Sequence, residues 1–487
     1  MKRKPSGFVT KARIDKAAYA YIQARRAAGQ SVILDRHLDL WRAIPLLLGG
    51  RDRRATSHTR GGEVAWDNPR LDMNQLPKTR GQGEGSLMEP AALIAPTAAP
   101  AISDVRVETI SDYKSFLDLE PVWNDLVEAA GIDHPFLTYE WVRTWWECFG
   151  EGKQLHILVV KDGTGPIAIA PLMVSHGRMY GLRVRQIESL GNVHTQRFDF
   201  IMARRAREAY SAIWKRLVND ADQWDMLQLC QLPPGSRTLE ELPKLAAADG
   251  FLTGLWHSGD SPYLPLTGGW ESSLTSLDAK HRANLRNRLK RLSRLGKVSL
   301  EVVSGGEELA AALEEGLRIE AAAWKGEAGT AICSRLDLRH FYTKFAERMA
   351  ARGWLRLFFL TVDHRRIAFH YSVCCRNKLY LLKPGYDPAY APYSPSNLLC
   401  YLVLRDACDR GLVEYGFLGT SEPWKLEWTR KTKPHYWLFV FPRLLRPRLL
   451  HYAKFRIVPL LQRLWLYQLA HNSVERLRGW SDFRRAR

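Results

Sequence analysis

The stretch that decides the fold runs from Leu379 to Trp428 and reads LYLLKPGYDPAYAPYSPSNLLCYLVLRDACDRGLVEYGFLGTSEPWKLEW. Its first five residues are typical of a strand, and the Gly- and Pro-containing residues that follow predict a loop. A helix is predicted over Leu398–Arg410, because Pro395 stands near its start and Gly411 lies just past its end. A second short strand is predicted after that glycine.

A strand that leads through a loop of small residues into a helix N-terminus is an anion-binding arrangement. The first backbone N–H groups of the helix and the positive end of its dipole point to one place. A plain strand–loop–helix crossover has the same pattern, so that alternative stays open. The residues predicted to hold a pyrophosphate here are Tyr393, Ser394, Pro395, Ser396, Asn397 and Leu398.

Two predicted hairpins, 200 residues apart, suggest that the chain contains two similar halves at 105–270 and 271–440. Ile167-Ala168 and Ile367-Ala368 match at this offset, and each hairpin follows a helix that carries aromatic residues. A chance match of one hairpin is the alternative. The predicted strands are Leu155–Val160 and Ile167–Val174 in the first hairpin, and Leu355–Val362 and Ile367–Cys375 in the second.

The formal net charge of +20 is concentrated at the two ends of the 487-residue chain. Residues 1–60 hold 14 Lys/Arg and 4 Asp/Glu, and residues 441–487 hold 11 and 2, so the residues between them are nearly neutral. Basic ends of this kind are typical of arms that bind anionic lipid or nucleic acid, and not of a DNA-reading domain.

Residues 1–104 are predicted to form a basic, partly disordered extension, since residues 61–104 are rich in Gly, Pro, Ala and Thr. Met88 precedes the first well-patterned segment, and we hypothesise that translation begins there. The basic N-terminus is not followed by an apolar run, and no stretch reaches the roughly 18 apolar residues of a spanning helix. An odd number of cysteines, seven, favours a reduced cytoplasmic protein.

Residues 441–487 are predicted to form a basic, Leu-rich tail of short helices, broken by Pro442, Pro447 and Pro459. Such a segment can lie in the headgroup region of an anionic membrane, which would place the protein at the inner membrane face. A helix packed on the body with a solvated basic face is the alternative.

Several short motifs occur together within residues 110–435. In the second half they are Lys280–Arg288, Glu320 with Trp324-Lys325, Pro384–Asp387 running into Tyr393–Pro395, and Glu422–Lys425 closed by Trp428; in the first half they are Pro135–Trp141 and Ile167–Leu172. In combination they resemble the GNAT acyltransferase superfamily, in its CelD-like branch linked to cellulose and exopolysaccharide biosynthesis. That branch is related to the FemAB peptidoglycan aminoacyltransferases.

The chain departs from the family pattern at four positions. The family usually has glycine where this chain has Ser396, aspartate at Gly416, glycine at Thr420 and tyrosine at Trp424. The first change bears on the contact with phosphate, and the others bear on catalytic competence.

The resemblance implies an α/β fold with mixed sheets, built as two tandem GNAT-like lobes with a flexible N-terminal extension and a basic helical C-terminal tail. The second lobe would bind acyl-CoA as co-substrate, and the cleft between the lobes would take the acceptor. The implied reaction moves an acyl group, most simply acetyl, to an amine or hydroxyl of a polysaccharide or cell-envelope precursor. No metal site is expected, because no His/Cys cluster has ligand spacing.

Direct attack on a thioester needs a proton acceptor and hydrogen-bond donors. The predicted catalytic residues are Asp387, Glu320 and His370 as candidate bases and Tyr386 as a donor. The predicted substrate-binding residues are His281, Arg282, Arg286, Trp324, Trp424 and Lys425. Structural roles are the alternative for each: a turn-capping Asp, a helix-surface Glu, a core His, a solvated cationic helix face.

Two other functions stay open. One is a FemAB-like aminoacyltransferase that uses charged tRNA, which the basic helix would suit; in the acyl-CoA interpretation nucleic acid is not an expected partner. The other is a catalytically silent scaffold that binds membrane or nucleic acid through its basic ends.

Overall fold

The computed structural model of the protein describes residues 105–322 and 331–463. The predicted N-terminal extension at 1–104, with Met88, lies outside these ranges, as do Trp324, Lys325 and the tail beyond residue 463. Within them, the chain forms a four-stranded and an eleven-stranded β-sheet with helices packed on both, which confirms the predicted mixed α/β class.

The strands are β1 (Arg106–Ile110), β2 (Gln154–Leu155), β3 (Ile157–Asp162), β4 (Gly165–Ala170), β5 (Leu172–Met179), β6 (Leu182–Ser189), β7 (Ile201–Met202), β8 (Met226–Leu232), β9 (Leu252–Pro265), β10 (Val298–Val303), β11 (Leu355–Val362), β12 (Arg365–Cys375), β13 (Lys378–Tyr386), β14 (Glu414–Gly416) and β15 (Thr432–Phe441). The small sheet has the order β1-β3-β4-β7, and the large sheet has the order β10-β11-β12-β13-β14-β9-β15-β8-β6-β5-β2.

The helices are α1 (Tyr113–Leu117), α2 (Glu120–Ala129), α3 (Tyr139–Phe149), α4 (Ala206–Asn219), α5 (Arg237–Ala248), α6 (Gly269–Thr275), α7 (Ala279–Leu292), α8 (Leu309–Ala321), α9 (Leu336–Ala351), α10 (Pro395–Asp409), α11 (Pro423–Leu426), α12 (Leu445–Tyr452) and α13 (Val458–Arg463). Short 3₁₀ helices span Pro135–Leu137, Ile332–Ser334 and Pro388–Tyr393, and a π-helical turn spans Ala453–Ile457.

The two halves of the chain share the same order of elements, and this shared order extends beyond the two predicted hairpins. In each, a first strand (β1 or β10) is followed by helices and then pairs antiparallel with the next hairpin (β3–β4 or β11–β12). Each half then contains a parallel pair around one helix: β6–α4–β8 and β13–α10–β14. The strand predicted over Ile167–Val174 breaks at Pro171, which lacks the N–H that a continuous ladder needs, and β5 joins the large sheet instead.

The last strands of the two halves are exchanged. β9 follows α5 in the first half, yet it pairs with β14 of the second half. β15 ends the second half and pairs with β8 of the first. Because β9 and β15 also pair with each other, the large sheet is continuous across the predicted boundary between residues 270 and 271.

β13 and β14 pair in parallel through Lys378–Tyr380 and Glu414–Gly416, which is the whole of β14, and β13 continues to Tyr386. Glycine fits at 416 because a Cβ there would lie 2.9 Å from the ring of Tyr380. Beyond this point β13 packs against α8, so closely that a Cβ on Gly385 would lie 2.5 Å from the Cα of Glu320. β13 therefore extends six residues past its last pair with β14, and the space alongside these residues is the β13–β14 gap.

Helices α3 and α9 join the two halves on one side of the sheet. The indole of Trp141 packs edge-on against the rings of Phe341 and Phe345, with centroids 5.1 and 4.8 Å away. At the rim of this contact, Glu147 accepts hydrogen bonds from Arg348 at 2.7 Å and from Lys344 at 3.0 Å. The halves thus share one aromatic core as well as one sheet.

Candidate functional site

The predicted pyrophosphate corner lies at the start of α10, after a loop that ends in Ser394. This residue has a left-handed backbone (φ 52°), and its carbonyl accepts the N–H groups of Asn397 at 3.0 Å and Leu398 at 3.1 Å. Pro395 has no N–H group. Ser396 therefore has the first amide N–H of the helix, and no described contact uses it. The corner is half-exposed at Ser396 and offers one amide together with the helix dipole.

Two arginines lie beside this corner. The guanidinium of Arg291, on the basic helix α7, lies 5.3 Å from the centroid of the Tyr393 ring. That of Arg365 lies 5.5 Å from the ring of Tyr390. The structure therefore brings the predicted basic helix and the predicted phosphate loop together, through Arg291 and the predicted residue Tyr393.

The three predicted substrate contacts on α7 differ in what they face. His281 is buried edge-on against Trp428, with Nδ1 3.5 Å from Glu427, and burial lowers the pKa of its imidazole. Arg282 donates to three carbonyls at the C-terminal end of α6, the shortest at 2.7 Å. Arg286 is exposed, so it is the member of this group whose charge faces solvent.

Trp424 and Lys425 hold the chain segment that leaves β14. The buried ammonium of Lys425 donates to the carbonyl oxygens of Leu418 at 2.7 Å and Thr420 at 3.2 Å. The indole of Trp424 donates to Glu422 at 2.7 Å. These contacts set the course of the segment, and a direct contact with substrate stays a prediction for both residues, as it does for Trp324 outside the described ranges.

Asp387 and Glu320, two of the predicted bases, make local structural contacts. Asp387 caps the 3₁₀ helix that follows it by accepting the N–H of Ala389 at 3.0 Å, and it pairs with Arg365 at 3.1 Å. Glu320, with 1% of its surface exposed, accepts the N–H of Ile332 at 3.0 Å. Both carboxylates are engaged as acceptors, and their catalytic roles remain predictions.

His370 and Tyr386, the other two catalytic candidates, lie on neighbouring strands. His370 is fully buried in β12, opposite Phe358 on one side and Pro384 on the other. Tyr386 is half-buried at the end of β13 and packs against the core of the second half. All four candidates lie around the end of β13: His370 is opposite Pro384, Gly385 packs on the backbone of Glu320, and Tyr386 and Asp387 follow directly. Their catalytic roles remain predictions.

A loop of the first half, residues 190–197, runs along the gap between β13 and β14. At the closed end, Arg197 donates to the Tyr380 hydroxyl at 3.3 Å and lies 4.0 Å from Glu414. Further along, the Gln196 side chain accepts the N–H of Gly419 at 3.2 Å. Residues 190–196 were not singled out from the sequence, since nothing local marks residues that become neighbours only after the two halves dock.

In the part of the chain that the structure describes, no group of three or more His, Cys, Asp or Glu residues could hold a metal ion. Over the same ranges, no helix has both the length and the apolar character that crossing a bilayer requires.

Residues 279–426 match the family model described as Acetyltransferase (GNAT) domain. The matched segment begins at α7 and contains the β13–β14 gap, the α10 corner and the segment held by Lys425. The second half of the chain is thus similar to a GNAT domain, which supports an acyltransferase. A comparison with curated protein sequences gave no match.

Solved structures with similar folds include three at low identity. FemX is 13% identical over 69% of this chain and 98% of its own, with a TM-score of 0.46. The C-terminal domain of a putative lysylphosphatidylglycerol synthetase from Agrobacterium fabrum is 14% identical over 69% and 96%, with a TM-score of 0.43. A tandem GNAT protein from the clavulanic acid biosynthesis pathway is 12% identical over 68% and 98%, with a TM-score of 0.39.

Proposed function

We propose that the protein transfers an acyl group from acyl-CoA to an amine or hydroxyl, with the thioester in the gap between β13 and β14. The observation that carries this proposal is the end of the β13–β14 ladder after three residue pairs, while β13 continues to Tyr386, inside the segment that matches the GNAT domain. Where a strand continues past the end of a ladder, its main-chain groups have no ladder partner on that side. Such groups can bond a linear ligand that lies beside the strand.

The diphosphate of CoA would lie at the start of α10. The free Ser396 amide, the helix dipole and the arginines on either side, Arg291 and Arg365, all favour a dianion there. Ser396 stands where the family usually has glycine, but its half-exposed side chain leaves the amide accessible to solvent.

For the acceptor we propose a polysaccharide or cell-envelope precursor, as the CelD-like resemblance implies. We further propose that the protein works in the cytoplasm, at the inner face of the membrane. The support is the C-terminal segment 443–463, which has no acidic residue and carries exposed leucines among exposed arginines.

The donor is tested by calorimetric titration of acetyl-CoA into the protein and its Ser396→Asp variant. An acidic residue in the first turn of a helix is favourable for folding, so the variant should stay as stable as the parent. Its carboxylate would repel the diphosphate, and we expect acetyl-CoA affinity to fall at least tenfold. Ser396→Asn, of the same size but uncharged, is the matched control and should bind within about threefold of the parent.

Two results would remove the proposal: no heat with any acyl-CoA, or equal affinities for the aspartate and asparagine variants. Binding of aminoacyl-tRNA in place of acyl-CoA would favour the FemAB-like alternative. Binding of neither donor, with vesicle or nucleic-acid binding intact, would favour a scaffold.

A further inference from the structure

The loop 190–197 presents a histidine at the open end of the gap between β13 and β14. Thr195 receives a hydrogen bond from the indole of Trp141 at 3.1 Å, and the N–H of His194 bonds the Asn192 side chain at 3.0 Å. A Cβ on Gly191 would lie 2.8 Å from the Thr195 hydroxyl, so the loop folds closely on itself. His194 is thus carried by a well-anchored backbone.

The imidazole of His194 lies where three elements meet. It stacks on Phe149 at the end of α3, with centroids 6.3 Å apart, and meets the edge of Tyr342 on α9 at 6.0 Å. The same Tyr342 ring lies 5.3 Å from the ammonium of Lys383, which is three residues beyond the last residue of β13 that pairs with β14. His194 and Lys383 therefore border the same ring, next to the part of β13 that extends past β14.

His194 is suited to accept a proton. It is half-buried, and no described residue hydrogen-bonds either of its ring nitrogens. Burial, and then the positive charges of Lys383 and Arg335, hold its pKa well below the usual value, so the ring is neutral near pH 7. Asp337, paired with Arg335 at 3.0 Å, offsets part of that charge.

Tyr342 does not compete with His194 for this role. Burial, with the nearby Glu320 carboxylate, raises the pKa of its phenol well above the usual value, so it remains protonated.

We propose that His194 is the general base of the acyl transfer and that Lys383 selects an acceptor carrying a carboxylate or phosphate. This inference rests on the function proposed above. As the acceptor nitrogen or oxygen bonds the acyl carbon, its proton passes to the free ring nitrogen of His194. The carbon–sulfur bond breaks, and the CoA thiolate takes the proton back from the imidazolium, which regenerates the base.

The anionic acceptor follows from the charges at the mouth of the gap. Lys383 lies on the strand that would bind the thioester, and its ammonium lies 5.3 Å from the same Tyr342 ring that His194 meets at 6.0 Å. A carboxylate or phosphate beside the nucleophile would be held by the Lys383 ammonium with the nucleophile directed at His194.

The binding half of the proposal is tested with inorganic phosphate as the probe. In protein labelled with ¹³C at histidine, the ring signal absent from His194→Gln belongs to His194. We expect phosphate to shift this signal saturably, and Lys383→Met to weaken that effect at least tenfold. Lys344→Met, on the same helix as Tyr342 but paired with Glu147, is the control and should leave it unchanged. Either of two results would overturn the anionic acceptor: no shift of the His194 signal at about 50 mM phosphate, or equal shifts in both variants.

The catalytic half is tested by hydrolysis of acetyl-CoA, in which water replaces the acceptor. A general base contributes about 10²–10⁴-fold, so we expect His194→Gln to lower the hydrolysis rate at least tenfold with unchanged acetyl-CoA affinity. A pH–rate profile should lose its acidic limb in the variant. Equal rates in the two proteins, including rates no higher than buffer alone, would overturn the role of His194.

Acetyl-CoA affinity separates this inference from the function on which it rests. If His194→Gln binds acetyl-CoA like the parent and hydrolyses it equally well, only the base assignment fails. If the parent itself binds no acyl-CoA, the acyl-transfer proposal fails with it.

Discussion

Two buried lysines, Lys425 and Lys454, show how burial affects the charge of a side chain in this molecule. Lys425 is buried, but its ammonium has two carbonyl partners. Lys454, in the π-helical turn, has 1% of its surface exposed, and no hydrogen-bond partner for its ammonium is found among the described residues. Its nitrogen lies 4.4 Å from the centroid of Phe439 and 5.2 Å from that of Trp256. Aromatic faces attract a cation, yet the loss of water outweighs them.

Burial lowers the pKa of Lys454 to about 7, against about 10.4 for an unfolded lysine. Between these values the unfolded chain binds a proton that the folded chain does not, so stability should rise with pH from about 7 to about 10. The slope from this one group is at most about 1.4 kcal/mol per pH unit, and it vanishes below pH 7, where both states are charged.

We expect Lys454→Met to remove this contribution and to raise the urea midpoint at pH 7. The measurement is the urea midpoint of parent and variant at several values between pH 6 and 10. Lys290→Met, on the exposed face of α7, is the control and should follow the parent. Parallel pH profiles for parent and Lys454→Met would show that the amine is charged in the fold.

Among the elements, the C-terminal segment from α12 to α13 has two different faces. The inner face is anchored on β9 and β15: the Phe455 ring fills the space over Gly254, where a Cβ would lie 2.2 Å from it, and Leu450 is buried. The outer face combines apolar and cationic side chains without an acid. Its exposed members are Leu444, Leu445, Leu449, Tyr452, Ile457, Leu460 and Leu461, with Arg443, Arg446, Arg448 and Arg456.

This face should bind anionic bilayers through both of its components. We expect the protein to sediment with vesicles containing about a third phosphatidylglycerol, and less so as salt rises, because screening weakens the arginine contribution. The double variant Leu445→Glu, Leu449→Glu should lose at least tenfold in partitioning. Leu336→Glu, equally exposed but on α9, serves as the matched control.

Retained binding in the double variant would place the membrane contact elsewhere. Acetyl-CoA affinity measured on the same sample should not change, because the segment packs on β9 and β15 and not on the β13–β14 gap.

At the scale of the whole molecule, the exchanged strands make the two halves depend on each other. β8 has β15 as its neighbour and β14 has β9, so separation at residue 270 leaves β8 and β14 with open edges. It also exposes the aromatic contact between α3 and α9. Unpaired strand edges next to apolar surface favour aggregation.

We therefore expect fragments 1–270 and 271–487 to be insoluble or unfolded when expressed apart, and to form a one-to-one complex when expressed together. Circular dichroism and light scattering measure both outcomes. The control is the full chain with a protease site inserted between Leu266 and Gly268. After cleavage at this site, the two parts should remain assembled. Two separately folded monomers would contradict the dependence that the strand exchange implies.

Much of the fold could be predicted from the sequence because its signals are local. Alternating apolar residues and tight turns indicated both hairpins, and Pro395 and Gly411 marked the ends of α10 to within about two residues. These signals depend on backbone preferences and near neighbours, which a single chain segment contains in full. The pairing of β9 with β14 and of β15 with β8 joins segments about 150 to 210 residues apart, and no local pattern records it.

The candidate site divides in the same way. The sequence by itself determined that a GNAT-like second half carries a strand, a loop of small residues and a helix in that order, because each is a continuous segment. The tertiary structure alone decided which side chains meet in the gap. It gave Arg282, Lys425 and Asp387 local partners, and it brought His194 from the other half to the side of Lys383. The physical reason is that burial, charge and contact across the gap arise only when distant segments pack together.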